Sequence, residues 1–308
     1  MPRSRRPPDE GRLIQLVYYL YVAASAVARA LPERLTYGAA RFLGDIAARR
    51  SKKRPQVARN LARITGKPAD SAEVQRLVGE SYRSYARYWL ETFALVREDR
   101  DFFLERFRSP TENNLFDVTK RGKGAIGVVG HLGNWDAAGA WVGAKGFSLV
   151  TVAEVLKPRR MFDFFVEHRA RLGMTIYPAE PGVTERLAQA VEDGAVVAIL
   201  GDRDLKGTGP EVTFFGEPAN FPAGAAKIAI QTGVPPCVVG IFGVTHPDGT
   251  RGWVADMTEP IELPKTTGSE AVQELTQRIA TELERQIASR PEEWHVFQPF
   301  WKADRATP

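Results

Sequence analysis

The chain of 308 residues contains a single cysteine, Cys237. An internal disulfide and a Cys-based zinc knuckle are therefore both excluded. It also lacks a long apolar run near its N-terminus: the uncharged stretch there, from Leu13 to Ala28, is 16 residues and includes Gln15, Ser25, Tyr18, Tyr19 and Tyr21. A membrane-spanning helix needs about 20 predominantly apolar residues. There is no GxSxG elbow, so a serine hydrolase of the usual α/β type is unsupported. GxxxxGK[ST] does not occur, and the one GxGxxG string, residues 122–127, runs into an apolar strand instead of following a strand and opening a helix, so neither of the two common nucleotide-binding loops is supported. His131, His168, His246 and His295 show no metal-ligand spacing, and no metal is expected. Repeats and low-complexity tracts are absent as well. With 44% hydrophobic and 26% charged residues, the chain is too apolar for disorder and long enough for a sizeable core.

What charge there is lies unevenly. The formal net charge is +5, but residues 1–60 sum to +9 and the remainder to −4. Arg3, Arg5 and Arg6 precede the uncharged run, and Arg49, Arg50, Lys52, Lys53 and Arg54 follow the next helical segment. Three readings fit the run: a helix lying at a membrane surface, an ordinary core helix, or a span or cleaved signal. Val27-Ala28-Arg29-Ala30-Leu31 is a poor cleavage region, which weighs against the last. The basic cluster has no interleaved aromatic platform and no nucleic-acid module, so nucleic acid is not an expected partner. An anionic lipid surface suits it better.

Residues 1–110 read as helical, with apolar positions at helical spacing through Val74, Leu77, Val78, Tyr82, Tyr85, Trp89 and Phe93. From Gly124 short β-rich runs alternate with helices. Strands are expected at 125–130, 148–152, 175–177, 195–200, 212–215 and 236–244, with helices between them and a closing helix over 270–288. This alternation predicts an α/β fold, a central and mostly parallel sheet with helices on both faces. The helical, membrane-docking portion (1–110) is expected to wrap onto an α/β core (111–308) as one integrated domain.

The chemistry-bearing segment is GHLGNWD, residues 130–136. His131 leaves the carboxyl end of a strand, Asn134 can cap the next helix, and Asp136 falls in that helix's first turn. A carboxylate beside an imidazole fixes its tautomer and makes the other nitrogen a base, suited to deprotonating a hydroxyl. A merely structural His–Asp pair would leave the same trace. Arg169 and Arg171 end a helix before Gly173, and either could clamp a phosphate or simply face solvent. Asp202, Arg203 and Asp204 leave another strand end, and Glu211 opens an extended run; these are packed ion pairs or a second carboxylate near His131. Cys237, in PPCVVG, reads as buried strand and not as a nucleophile.

The ordered set ARNL (58–61), YARYWLE (85–91), GHLGNWD (130–136), RxxxG (169–173), GDRD (201–204), VTFFG (212–216), FPAGAA (221–226) and PEEWHVFQPFW (291–301) covers nearly the whole chain. In that order it resembles the lysophospholipid and lipid A acyltransferase superfamily, in its lipid A biosynthesis branch. Asp136 stands where lipid A enzymes usually carry Glu, and with the Arg- and Ala-rich composition this resembles the actinobacterial phosphatidylinositol mannoside acyltransferases. The resemblance implies transfer of a long acyl chain, typically palmitoyl, from acyl-CoA to a mannose hydroxyl of a phosphatidylinositol mannoside. It places the work at the cytoplasmic side of the plasma membrane, with acyl-CoA as co-substrate and no permanently bound cofactor. By it His131 is the general base, Asp136 its orienter and Arg169 a contact to the acyl donor. A further acidic residue is Glu211, with Asp202 and Asp204 as rivals. Gly133 and Asn134 are plausible donors to the tetrahedral oxygen. A lipid A or other lysolipid acyltransferase, using acyl carrier protein or CoA, and a non-catalytic lipid-binding protein are the competing readings.

Overall fold

The computed structural model describes residues 12–204 and 207–305; Arg3, Arg5 and Arg6 lie outside the described residues. The helices in the N-terminal part are α1 (Arg12–Ala30), α2 (Glu33–Arg50), α3 (Arg54–Thr65), α4 (Ala72–Leu95) and α5 (Arg100–Arg106). There follow β1 (Phe107–Arg108), α6 (Asn113–Thr119), β2 (Ala125–Val129), α7 (Trp135–Ala144), β3 (Leu149–Ala153), α8 (Arg159–Arg171), β4 (Met174–Pro178), α9 (Val183–Glu192) and β5 (Val196–Leu200). The chain continues with β6 (Glu211–Phe214), β7 (Glu217–Asn220), α10 (Gly224–Thr232), β8 (Cys237–Thr245), β9 (Arg251–Met257), α11 (Gly268–Ser289) and the short α12 (Lys302–Arg305).

Local chemistry sets several of these bounds. Ser71 accepts the Val74 N–H and starts α4, Asp99 accepts that of Phe102 and starts α5, and Gly66 ends α3 in the left-handed region at φ 67°. The apolar runs form a seven-stranded sheet in the order β1-β9-β8-β2-β5-β3-β4, parallel except for the β8–β9 pair. β2 at its centre is buried along its whole length, as a strand covered on both faces must be. Helices α9, α10 and α11 pack together against β5, β2 and β8, while α7 packs with α4 and α5 and against β1, β3 and β4. The expected α/β architecture with a helical N-terminal part is therefore the observed one.

Several segments differ from the sequence expectation. Residues 107–108 form a strand inside the stretch read as helical, and the pattern does not predict α6, β7, β9 or the short α12. β1 is too short to show a period, and β9 carries Gly252 and Asp256, so its strand character comes from pairing with β8.

Among its described residues, helix α1 packs on one side. Tyr18 and Tyr21 join Ala28, Phe93, Met161 and Phe165 in a small cluster between α1, α4 and α8, while Val17, Tyr19, Leu20 and Val27 are exposed. On α2, Leu35, Phe42 and Leu43 are exposed as well, Phe42 at 65%. Among the described residues no helix is long and apolar enough to cross a membrane.

Candidate active site

His131 stands two residues beyond β2, and Asp202 two residues beyond β5. These strands are parallel neighbours with Val129 opposite Leu200, so their registry carries the two side chains to the same point above the sheet. Asp202 Oδ1 lies 2.7 Å from His131 Nδ1. Its Oδ2 accepts the backbone N–H of His131 at 2.9 Å and the indole N–H of Trp294 at 2.8 Å. Burial by itself would raise the pKa of Asp202, which is fully enclosed. The facing imidazole and the hydrogen bonds from His131 and Trp294 outweigh it and hold the carboxyl below its ordinary range. An ionised carboxylate can only accept, so Nδ1 carries the ring proton and Nε2 the lone pair. No described residue hydrogen-bonds Nε2.

This corrects the pairing suggested by the spacing in GHLGNWD. Asp136 does fall in the first turn of α7, which Asn134 caps through the Ala137 N–H. The helix turns its carboxylate toward α4 and α8. Oδ1 lies 2.6 Å from Arg169 Nε, and Oδ2 accepts from the hydroxyls of Tyr88 at 3.0 Å and Thr92 at 3.4 Å. Burial opposes ionisation of Asp136, but the Arg169 guanidinium prevails and lowers its pKa.

The loop between β2 and α7 is held from several sides. Gly133 has φ 62°, and a Cβ there would stand 2.0 Å from the carbonyl oxygen of Ile241; only glycine fits. The C-terminal segment stitches onto the same loop: Gly133 N–H donates to the Glu293 carbonyl, and His295 N–H to that of His131 at 2.7 Å. Asn134 donates its amide to Glu91, which also accepts from Tyr37 and Trp253. The expected oxyanion donors are thus already engaged: the Gly133 N–H by Glu293 and the Asn134 side chain by Glu91 and the helix cap.

The remaining sequence candidates separate. Glu211 is exposed on β6, where its carboxylate pairs with Lys302. It does not line the cavity described below. Arg171 is exposed and pairs with Glu167 one helical turn away. Asp204 is buried and accepts the Gly209 N–H, tying down the loop after β5. Arg203 is half-buried and does line the cavity. Trp294 and Glu293 belong to a motif visible in the sequence, yet only the long-range pairing reveals that they brace the loop carrying His131.

Beside His131 opens a cavity of about 410 Å³. Its rim holds His131, Trp135, Arg169, Lys53 and Arg203, and its interior is walled by apolar side chains such as Trp141, Leu149, Met174, Val196 and Met257 from the sheet and α7. Gly127, in the middle of β2, leaves part of the wall without a side chain. An open imidazole nitrogen at the mouth of an apolar pocket suits a reaction on a chain that is greasy except at its reactive end. His295 also borders this cavity, and burial, with help from Arg87 and His131, pushes its pKa down to about 3. Its ring is neutral at any ordinary pH.

A family model described as bacterial lipid A biosynthesis acyltransferase matches residues 9–303. A protein of Mycolicibacterium smegmatis named phosphatidylinositol mannoside acyltransferase is 36% identical over 308 residues, covering 99% of this chain and 96% of its own. One of the same name from Mycobacterium tuberculosis (strain H37Rv) is 35% identical over 297 residues, 93% of this chain and 89% of its own.

Proposed function

Because the chain belongs to the bacterial lipid A biosynthesis acyltransferase family, we propose that it transfers a long-chain acyl group, palmitoyl in the first instance, from acyl-CoA to a mannose hydroxyl of a phosphatidylinositol mannoside. The observation that carries the chemistry is the Asp202–His131 pair with Nε2 open at the mouth of an apolar cavity. The acceptor class is carried over from the names of the relatives, and the thioester donor is part of the proposal.

His131 Nε2 takes the proton of the acceptor hydroxyl as its oxygen attacks the thioester carbonyl carbon. The imidazolium formed is stabilised by Asp202. When the tetrahedral intermediate collapses, the C–S bond breaks and the imidazolium returns its proton to the departing thiolate. Donor and acceptor meet in one site, so no acyl-enzyme is needed. Arg169 is the cation lining the cavity that a buried carboxylate holds in place, which suits it to receive charge on the tetrahedral oxygen or to contact the donor. Asp136 then positions Arg169. The acyl chain occupies the cavity interior, where each buried methylene contributes about 0.8 kcal/mol.

The exposed apolar residues of α1 and α2, with Arg34, Arg41, Arg49 and Arg50 on the same pair of helices, support docking on an anionic membrane, assigned here to the cytoplasmic face. Product analysis by mass spectrometry tests the whole reading. Purified protein is given palmitoyl-CoA with mannosylated phosphatidylinositol and, separately, with a lipid A precursor. Acylation of the mannosylated lipid is expected, and product from the lipid A precursor alone would overturn the acceptor assignment.

A further inference from the structure

We propose that Lys53 and Arg203 form a subsite for a substrate phosphate at the rim of the cavity that His131 also lines. The inference rests on the acyl-transfer reading for the identity of the substrates, but on geometry for the subsite itself. Both side chains line that cavity. Among the described residues neither has a carboxylate partner or a side-chain hydrogen bond. The other cations around them are occupied: Arg54 by Gln75 and the Ala48 carbonyl, Arg63 by Glu217 and Asp304, Arg169 by Asp136, and Arg87 by Glu293. Of the carboxylates on the same cavity, Asp136 is neutralised by Arg169, and Glu154 makes no ion pair with Lys53 or Arg203.

Two further features favour an anion here. Lys53 is the residue before α3, a 12-residue helix with no acidic residue in its first turn and no side-chain cap, so the positive end of its dipole adds to the Lys53 charge. Arg203 follows the carboxylate that orients His131, so a group bound to it is held at a fixed remove from the base. Arg49, Arg50 and Lys52 extend the positive potential outward from the rim. The chemistry recognised is a phosphate mono- or diester, which both proposed substrates carry: CoA in its nucleotide portion and the acceptor in its lipid phosphodiester.

The test is equilibrium binding to the full-length protein, which requires no turnover. One arm compares free CoA with pantetheine, and the other compares glycerophosphoinositol with myo-inositol, on wild type and on the Lys53→Gln/Arg203→Gln double variant. The double variant is expected to bind one phosphate-bearing probe about 10-fold more weakly, the usual scale for charge-assisted hydrogen bonds. Its binding of the phosphate-free counterparts should not change. The arm that responds identifies the source of the phosphate. A Lys53→Arg/Arg203→Lys variant should lose less binding than the double Gln variant, since an ammonium still binds phosphate as a point charge although the forked guanidinium contact at 203 is lost. If the double variant does not fold, the charge reversal Lys53→Glu at an exposed position serves instead and should weaken the same probe. Equal binding of both phosphate probes by wild type and variant overturns the subsite, as does a wild type that prefers neither probe over its phosphate-free counterpart. Loss of mannolipid acylation in the product assay with this binding pattern intact would sink the proposed function and leave the subsite standing.

Discussion

Replacing Asp202 with asparagine separates the roles of the two buried carboxylates. Asn keeps the size and outline of Asp, and its oxygen can take the place of Oδ2, accepting from the His131 backbone and Trp294. The amide nitrogen then stands where Oδ1 lay, 2.7 Å from His131 Nδ1. Facing an N–H donor, Nδ1 must present its lone pair, so the ring proton moves to Nε2 and the nitrogen at the cavity ceases to be a base. Removing the orienting carboxylate in this way costs about 10⁴ in kcat in serine proteases. With the same geometry, a fall of ~10³–10⁴, about 4–5.5 kcal/mol of transition-state stabilisation, is expected here. The assay is steady-state release of free CoA with acylated lipid quantified by mass spectrometry. The donor KM should stay within about threefold and the melting temperature should hardly move, because the buried hydrogen-bond count is conserved. A His131→Ala variant should reach a similar floor, and the double variant should fall no further. More than about a tenth of wild-type kcat in Asp202→Asn would refute this reasoning.

Asp136→Asn should act on stability: it leaves the Arg169 guanidinium buried against an uncharged partner, at a cost of about 3–5 kcal/mol in denaturant unfolding. Because the folded pKa of Asp136 is depressed, the advantage of wild type over this variant should be full at neutral pH and shrink only as acid falls below the ordinary carboxylate range, toward the lower folded value. His295, with its folded pKa near 3, works in a different window. Stability is complete above the unfolded value of about 6.5 and should fall by about 1.4 kcal/mol per pH unit from there down toward 3; His295→Gln should remove that part of the slope in melting curves against pH. Gly127→Val adds a branched side chain to the wall of the apolar cavity, so the preferred donor should become shorter in a competition among acyl-CoA chain lengths, and an unchanged preference would move the acyl chain elsewhere. The pair Phe42→Ser/Leu43→Ser removes exposed apolar surface from α2 and should lower co-sedimentation with anionic vesicles without changing the melting temperature.

The elements that position the site were largely legible from local pattern. The alternation of apolar runs and helices places His131 at a strand end, and Asn134 marks the start of α7 as it does in the structure. The partner of His131 was not legible from spacing, because Asp136 is five residues away in sequence while Asp202 is 71 residues away. Proximity along the chain favoured the former; the parallel register of β2 and β5 decides for the latter, and register is a property of two strands together. Had the pairing of AIGVV with VVAIL been taken as given, counting two residues past each end would have found the contact. Glu211 failed for the complementary reason: its hairpin with β7 forms a separate two-stranded sheet, so belonging to an extended run does not carry it to the central sheet. Lys53 is legible in the sequence only as one member of a basic cluster; its place on the cavity depends on how α3 meets the C-terminal segment.

The stitches from Glu293, Trp294 and His295 to the loop after β2 have a consequence for the order of events in synthesis. The base and its carboxylate come from the middle of the sequence, but the clamp that fixes both is contributed after every strand of the sheet has been made. A ribosome-bound chain can pair the strands of the sheet while Trp294, and with it His295, Phe297 and Gln298 of the cavity wall, is still in the exit tunnel. During that interval the imidazole lacks its brace and the cavity part of its lining, so the site is completed only when the C-terminal segment folds back onto it.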